Sequence, residues 1–243
     1  MYTFNSRVRY SETDEEGRLS ILGIINYMQD CSTFQSEDAG VGVAYLDASQ
    51  KAWLLSSWQI MIDRYPRLGE TITVGTWHCA FKGIYGYRNF VLRDEGGSDV
   101  VRAESRWFLY DTMKNAPVRV RREDIAPYGM PEPRLELSPA PRKIPIPDQC
   151  ETREAIVVSR HHIDTNHHVN NAQYVEMARE AIPEGLVIRE IRADYKKAAV
   201  LGDILIPQVS RGQDYAWTVV LAGSTGEAGA VIWLKTEGQE DMR

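Results

Sequence analysis

The order of apolar and polar positions predicts a strand, a helix and four further strands over the first half of the chain. The helix begins after an N-cap residue, Ser20, and ends before Gly40. Apolar side chains occupy much of its circumference, which indicates a helix enclosed by other elements rather than one lying on a surface. The predicted strands are rich in Trp, Tyr, Ile, Val and Thr and cover residues 3–10, 52–64, 70–81, 84–94 and 99–113.

The same order of elements returns in the second half. A predicted helix begins after Asn170 and is stopped by Pro183 and Gly185. The strands predicted around it cover residues 154–162, 186–197, 203–211, 214–222 and 228–235. Asp14 corresponds to Asp164 and Ser20 to Asn170, at the same spacing in each half. We interpret the chain as an internal duplication, whose paired sheets would cover edges that are otherwise exposed.

Between the halves, residues 124–150 hold seven of the eleven prolines. Such a composition predicts an extended, semi-rigid connector. The predicted organisation is therefore a first domain over residues 1–123, a linker over 124–150 and a second domain over 151–243.

Composition narrows the function classes. With 243 residues, 43% hydrophobic and 26% charged, the chain is typical of a globular protein with a substantial core. It has no apolar run long enough for a transmembrane helix, and its first residues lack a signal-peptide core, so we expect a cytoplasmic protein that is not bound to a membrane. A net charge of -6 argues against nucleic-acid binding. Three scattered cysteines do not form a disulfide framework.

The residues capable of chemistry are concentrated in one loop that precedes the second helix. Four of the five histidines lie between residues 161 and 168, together with Asp164 and Asn166. The N–H groups and positive dipole end of the following helix favour a developing negative charge, so an oxyanion could be held there. His161, His162 and His167 are expected to be structural, and the spacing lacks the paired Cys or His-x-x-x-His of a zinc site.

Three stretches carry a resemblance to a known family. Residues 164–174 resemble the D-x-N-x-H-V-N-N-x-x-Y signature of the acyl-acyl carrier protein thioesterases at every specified position. Residues 8–30 are similar to that family's opening strand and helix, and residues 53–77 to its second strand and turn. The resemblance implies an α+β tandem (double) hot-dog fold, in which two antiparallel sheets each wrap round a long central helix.

The resemblance also implies the roles of site residues. Asp164, Asn166 and His168 would form the catalytic loop, with His168 activating a water, Asn166 orienting it or bonding the carbonyl, and Asp164 fixing a neighbour. Backbone N–H groups near Asn171 and Ala172 would hold the oxyanion.

Three further residues are implied to contact the substrate. Glu176 is a secondary candidate on the helix, and Trp53 and Trp58 would contribute to the lining for an apolar acyl chain. Ordinary core packing is the competing explanation for both tryptophans.

One departure from the family pattern concerns the acid that the family places after the tyrosine of the next strand. Here Tyr195 is followed by two lysines and then by Ala198 and Ala199. Three explanations stay open: the loop suffices with a bound water, the alignment is shifted by a few residues, or hydrolysis is weakened or absent.

The leading hypothesis is hydrolysis of acyl-acyl carrier protein to free fatty acid, ending chain elongation, without a metal or organic cofactor. The partner would be an acidic carrier protein with a phosphopantetheine arm, docking on one of three basic clusters: Arg119/Arg121/Arg122, Arg142/Lys143 or Lys196/Lys197. An acyl-coenzyme A thioesterase and a non-hydrolysing acyl-binding module are the alternatives. Acyl chain length and homodimer formation are left open.

Overall fold

The computed structural model describes residues 1–237 of the chain, which forms two compact units. The first unit comprises Met1–Ser56 and Ile62–Ser138, and the second comprises Ser57–Met61 and the chain from Pro139 onward. The division after Ser138 falls inside the proline-rich segment. Among residues 1–237, no helix combines the length and the apolar composition needed to cross a bilayer.

The first unit is an antiparallel sheet with one long helix. Its strands follow the order β1-β3-β4-β5-β2, and β6 pairs with β5. The elements are β1 Tyr2–Arg7, α1 Ile21–Asp38, α2 Val43–Ala48, β2 Lys51–Ile62, β3 Thr71–Lys82, β4 Tyr85–Arg93, β5 Asp99–Asp111, β6 Ala116–Pro117 and α3 Arg122–Ile125. The predicted strands agree with these bounds to within a few residues.

Helix α1 begins at the predicted cap and packs against β3 and β1. The Ser20 Oγ accepts a hydrogen bond from the Gly23 N–H at 3.0 Å, which satisfies one of the unpaired donors at the helix start. Ile24, Ile25 and Met28 are fully buried, whereas Phe34 is 44% exposed. The predicted enclosure therefore holds for the first part of the helix and fails near its C-terminal end.

The pattern of apolar residues did not predict α2, which is only six residues long. Its N-terminus is stabilised by a residue of the preceding helix, because the Glu37 carboxylate accepts a hydrogen bond from the Val43 N–H at 2.8 Å. A carboxylate at a helix N-terminus complements the dipole. Such a cap acts from six residues away, so the local rules for a helix start do not detect it.

The second unit is likewise an antiparallel sheet with one helix packed on it. Its strands follow the order β9-β12-β11-β10, with β7 and β8 on β10, and Ser57–Met61 pairs with β9. Helix α4 packs against β11 and β12. The elements are β7 Glu151–Thr152, β8 Ile156–Val157, α4 Asn171–Glu180, β9 Ile188–Tyr195, β10 Ile204–Arg211, β11 Ala216–Gly223 and β12 Ala228–Thr236.

The strand predicted over residues 154–162 is largely wrong. Only Ile156–Val157 pairs as a strand, and Arg160–His162 forms a 3₁₀ turn. The turn is stabilised locally, because His162 Nδ1 accepts a hydrogen bond from the Ser159 N–H at 2.9 Å. A side chain that bonds its own backbone in this way competes with strand pairing.

The proline-rich segment contains no helix or strand between residues 130 and 150. Its first part bonds to the first unit, where the Trp77 indole N–H donates to the Pro133 carbonyl at 2.8 Å. Its last part bonds to the second unit, where the Asp194 carboxylate accepts from the Ile144 N–H at 2.8 Å. Each end of the connector is thus held by one unit.

Gly23 is the position in α1 where a side chain should be least tolerated. A Cβ there would lie 2.7 Å from a methyl group of Leu19, which is fully buried, and 3.2 Å from the Glu12 carbonyl oxygen. We expect Gly23→Ala to lower the free energy of unfolding by about 1–3 kcal/mol, because the overpacking outweighs the gain in helix propensity. Chemical denaturation measures this change.

Thr33→Ala is the matched control, because Thr33 is exposed on the same helix. It should alter stability by no more than about 0.5 kcal/mol. Equal stability of Gly23→Ala and wild type would show that the space beside Gly23 is larger than these distances state.

Candidate active site

Residues 163–169 form a tight loop that is closed by its own backbone. The Asp164 N–H donates to the His168 carbonyl at 2.9 Å, and the His167 N–H donates to the Asp164 carbonyl at 3.0 Å. Ile163 and Val169 pair as an isolated bridge at the neck. His167 adopts a left-handed conformation with φ of 60°, which few residues other than glycine do without strain.

The first unit contains the same loop, 150 residues earlier. The Asp14 N–H donates to the Arg18 carbonyl at 2.8 Å, and the residue in the left-handed conformation is Gly17, with φ of 70°. Thr13 and Leu19 form the corresponding bridge. Equal hydrogen bonds at equal spacing support the internal duplication inferred from the sequence.

Asp164 holds the shape of the loop. Its Oδ1 accepts a hydrogen bond from the Asn166 N–H at 2.8 Å, as the Asp14 Oδ1 does from the Glu16 N–H at 3.1 Å. A carboxylate that bonds the backbone two residues further on is an Asx turn. This bond accounts for Asp164 as a residue that positions the loop.

The side chains of Asn166 and His168 are available for other partners. Within residues 1–237, neither side chain makes a hydrogen bond or an ion pair with protein; Asn166 is exposed and His168 is half-buried. In the first unit, the residue equivalent to His168 is Arg18, which is paired with Asp14 at 3.0 Å and with Glu16 at 2.8 Å. The second loop therefore presents unbonded polar groups where the first loop has a closed ion-pair cluster.

The start of α4 differs from the expectation. Asn170 is the N-cap, and its Oδ1 accepts from the Ala172 N–H at 2.9 Å. The Gln173 N–H donates to the Asn170 carbonyl at 2.9 Å. The predicted use of the Ala172 N–H for an oxyanion does not fit this geometry, because the cap already takes up that donor. The Asn171 carbonyl accepts a hydrogen bond from the Tyr195 hydroxyl at 2.9 Å.

Tyr174, Tyr195 and Ala199 hold the loop and the start of α4 through hydrogen bonds and a ring contact. The buried Ala199 N–H donates to the Tyr174 hydroxyl at 2.8 Å, and the Ala199 carbonyl accepts from the Val169 N–H at 2.9 Å. The Tyr174 and Tyr195 rings meet edge to face with centroids 5.7 Å apart. Sequence reasoning assigned no role to these contacts, although Tyr174 ends the motif and was the one available signal.

Ala198, the third residue after Tyr195 and the expected position of the acid, is exposed, whereas its neighbour Ala199 is buried. Ala199 is 5% exposed and uses both of its backbone groups to hold the loop. The next acid along the chain is Asp203, which is exposed and accepts from the Val200 N–H at 2.9 Å. Asp203 is the first carboxylate after Tyr195 along the chain, and this bond uses one of its two oxygens.

Glu176 is half-buried on α4, and burial raises the pKa of its carboxyl. Arg179 opposes this effect through an ion pair of 3.3 Å.

Of the two tryptophans, Trp58 lies in the second unit and is 3% exposed, so it is a core residue rather than a lining residue. Trp53 lies in the first unit and is half-buried, with its ring centroid 6.2 Å from that of Phe81.

In the part of the chain described, no group of three or more His, Cys, Asp or Glu side chains has the arrangement of a metal site. Two of the four clustered histidines contact each other. The His161 and His162 rings are tilted by 56° with centroids 3.9 Å apart, and burial, followed by His161, lowers the pKa of His162.

Comparison with known proteins agrees with the fold. An antiparallel sheet with few helices fits the hot-dog fold. The profile of the acyl-ACP thioesterase N-terminal domain matches residues 1–128, and that of the acyl-ACP thioesterase C-terminal domain matches residues 147–230. The chain belongs to the acyl-ACP thioesterase family.

The relatives are distant. The acyl-[acyl-carrier-protein] hydrolase FATB2 of Cuphea viscosissima is 28% identical over 194 residues, 74% of this chain and 46% of that protein. The oleoyl-acyl carrier protein thioesterase 2 of Arabidopsis thaliana is 28% identical over 168 residues, 63% of this chain and 46% of that protein. The chain thus spans about half the length of these curated relatives.

Two solved structures share the fold over nearly the whole chain. An acyl-ACP thioesterase from Bacteroides thetaiotaomicron matches with a TM-score of 0.86 and 24% identity, covering 97% of each chain. The 12:0-ACP thioesterase from Umbellularia californica matches with a TM-score of 0.87 and 19% identity, covering 97% of this chain and 96% of that chain.

Tyr174→Phe should destabilise the protein more than Tyr195→Phe does. The first change leaves the buried Ala199 N–H without a partner, which costs about 1–3 kcal/mol. The second removes a bond to the Asn171 carbonyl, which keeps its helical partner one turn further on, so about 1 kcal/mol is expected. Urea denaturation of the two variants tests this, and the reverse order would contradict it.

Glu176→Gln should change how stability depends on pH. Burial raises the folded-state pKa of Glu176, so the folded protein holds this proton more tightly than the unfolded chain does. The stabilisation is complete below the unfolded pKa and is lost as pH rises through the raised folded pKa.

We expect the glutamine variant to flatten that loss and to be more stable than wild type at neutral pH. Denaturation curves between about pH 4 and 7 measure it. Glu180→Gln is the control, because Glu180 pairs with the same Arg179 but is 66% exposed; an equal effect of both variants would assign the change to the ion pair.

Proposed function

We propose that the protein hydrolyses the thioester of acyl-acyl carrier protein, releasing a free fatty acid and the carrier thiol. Membership of the acyl-ACP thioesterase family supports the reaction class. The loop of the second unit is the observation that supports particular residues. There, the side chains of His168 and Asn166 have no protein partner within residues 1–237. In the first unit, Arg18, which is equivalent to His168, is paired with two acids.

In the proposed reaction, the His168 imidazole takes a proton from a water molecule as that water attacks the thioester carbonyl carbon. The resulting tetrahedral oxyanion collapses, the C–S bond breaks, and the imidazolium returns a proton to the leaving thiolate. His168 suits this step because an imidazole exchanges protons near neutral pH. The step requires only water, the thioester and the imidazole.

Asn166 is the proposed polar partner of the reacting groups. Its amide can donate to the carbonyl oxygen or orient the water, and it replaces the Ala172 N–H in that role, since that donor is bonded to Asn170. Asp164 is proposed to position both residues, because its Oδ1 fixes the turn between them.

A tandem hot-dog architecture is the proposed arrangement of the whole chain. Three features support it: each unit has an antiparallel sheet, each has a helix packed on that sheet, and each has the same closed loop before the helix. The first unit would hold the acyl chain and the second would carry out hydrolysis.

The proposed partner is an acidic carrier protein. Although the net charge is -6, the exposed side chains of Lys196 and Lys197 directly follow Tyr195, which bonds to the start of α4. Lys197 is ion-paired with Glu227, so Lys196 is the lysine proposed to attract an acidic carrier. Acyl-coenzyme A is the competing substrate, and its phosphates would also be attracted.

His168→Ala should lower kcat on acyl-acyl carrier protein by about 10²–10⁴-fold, the usual contribution of a general base. The measurement is release of free thiol from decanoyl-carrier and decanoyl-coenzyme A thioesters by the purified protein. A larger kcat/KM for the carrier thioester is expected.

Arg18→Ala is the matched control, because it removes the side chain at the equivalent position of the first unit. Turnover per folded molecule should stay close to wild type in this variant. If wild type and His168→Ala were equally inactive while acyl chains still bound, the non-hydrolysing module would replace this proposal.

A further inference from the structure

The first unit contains an arginine whose charge has no acidic partner. Arg88 lies on β4 directly opposite His78 on β3, and the two side chains point to the face that packs on α1. Its guanidinium donates to the side chain of Gln35 and to the Thr76 Oγ1, the latter at 3.2 Å, and lies 5.3 Å from the centre of the Tyr128 ring.

Within residues 1–237, Arg88 forms no ion pair, whereas most other arginines of the first unit do. The paired ones include Arg64 with Glu70, Arg93 with Asp99, Arg102 with Asp63 and Arg134 with Glu104. Arg88 is only half-buried as a residue, yet burial lowers the pKa of its guanidinium. A desolvated charge without a counter-ion lowers the stability of the fold. We therefore expect Arg88 to have a function that offsets this cost.

His78 supplies a second unsatisfied group at the same place. The residue is 3% exposed, and its Nε2 is buried without a hydrogen-bond partner. The pKa of His78 is lowered from its usual value, chiefly by burial. Buried polar atoms are almost always bonded, so an orphaned nitrogen points to a missing ligand.

Three charged groups and burial affect the pKa of His78. Burial has the largest effect and lowers the pKa of His78, Arg88 on β4 and the amino group of Met1 lower it further, and Glu132 raises it. Glu132 is itself ion-paired with the Met1 amino group. Arg88 is in turn close to Tyr128, Cys31 and Cys79, none of which supplies a carboxylate.

We propose that Arg88 and His78 form a binding site for the carboxylate of an apolar chain. A guanidinium binds a carboxylate through two parallel hydrogen bonds, which would supply the missing counter-ion. His78 Nε2 would donate the third bond once the imidazole takes up a proton. The surroundings fit an apolar tail rather than an inorganic anion, because the Phe81 ring lies 5.2 Å from His78 and 6.2 Å from Trp53.

The segment at the end of the first unit covers this site. The Tyr128 hydroxyl is 3.0 Å from the Ser36 Oγ on α1, and the Glu132 N–H donates to the His78 carbonyl at 3.0 Å. The carboxylate would therefore lie between β3, β4, α1 and this segment, where it is shielded from water. Shielding strengthens a charge-assisted hydrogen bond.

Calorimetric titration of the intact protein with dodecanoate and with dodecanol tests the site. We expect dodecanoate to bind to wild type and Arg88→Met to weaken it about 10- to 100-fold, with dodecanol unaffected by the change. Arg106→Met is the matched control, because Arg106 lies on β5 over the Tyr85 ring and also lacks an ion pair within the described residues. Equal dodecanoate binding in wild type and Arg88→Met would overturn the proposal.

Proton uptake gives a readout that a purely structural arginine would not move. Dodecanoate binding near neutral pH should take up a proton, detected as heats that vary with the ionisation enthalpy of the buffer, and His78→Gln should abolish the uptake. Binding without uptake in wild type would remove His78 from the site. If Arg88→Met does not fold, Arg88→Lys keeps the charge without the paired geometry and should still weaken dodecanoate binding about tenfold.

The carboxylate could belong to a released fatty acid or to the far end of an acyl chain. Inhibition of decanoyl thioester hydrolysis by dodecanoate, lost in Arg88→Met, indicates the fatty acid. A preference for a thioester with a terminal carboxylate, lost in the same variant, indicates the substrate tail. Only this comparison rests on the proposed hydrolysis; the binding measurements stand even if the protein hydrolyses nothing.

Discussion

The candidate site depends on the backbone of Ala199, whose two polar groups join the tyrosine of α4 to the neck of the loop at residues 163–169. Its N–H is bonded to Tyr174 and its carbonyl to Val169. Both bonds are shielded from water, so neither can be exchanged for a bond to solvent without a penalty. This connection fixes the distance between the helix start and the loop, and with it the location of the imidazole.

The two units show how one loop can serve two purposes. In the first unit, an arginine closes the loop by pairing with both acids, and the loop is a finished structural element. In the second unit, asparagine and histidine occupy the positions of Glu16 and Arg18, and the loop keeps its shape through the Asx turn and its backbone hydrogen bonds, without ion pairs among the described residues. The two copies therefore share a backbone but differ in whether their polar side chains are paired.

The sequence predicted most of the fold because its apolar periodicity and helix caps act locally. The long strands and the caps at Ser20 and Asn170 are where these rules place them. The rules failed where a side chain bonds the backbone outside the usual helix caps: Glu37 stabilises the start of α2 from the preceding helix, and His162 stabilises a 3₁₀ turn where a strand was expected. The motif located the loop, but only coordinates reveal that the cap uses the Ala172 N–H and that Trp58 is in the core.

The helix cap at Asn170 and the missing acid both reduce the number of groups that are available for catalysis. Ala172 offers no free donor, Ala199 offers no carboxylate, and Asp203 is engaged in its own turn. In the proposed reaction, the groups that act on the thioester are the amide of Asn166 and the imidazole of His168. A site with one base and one amide depends on holding both in place, since neither has a side-chain partner to orient it within the described residues. Rigidity then comes from the loop backbone, and the buried Ala199 contributes to it through its N–H and carbonyl groups.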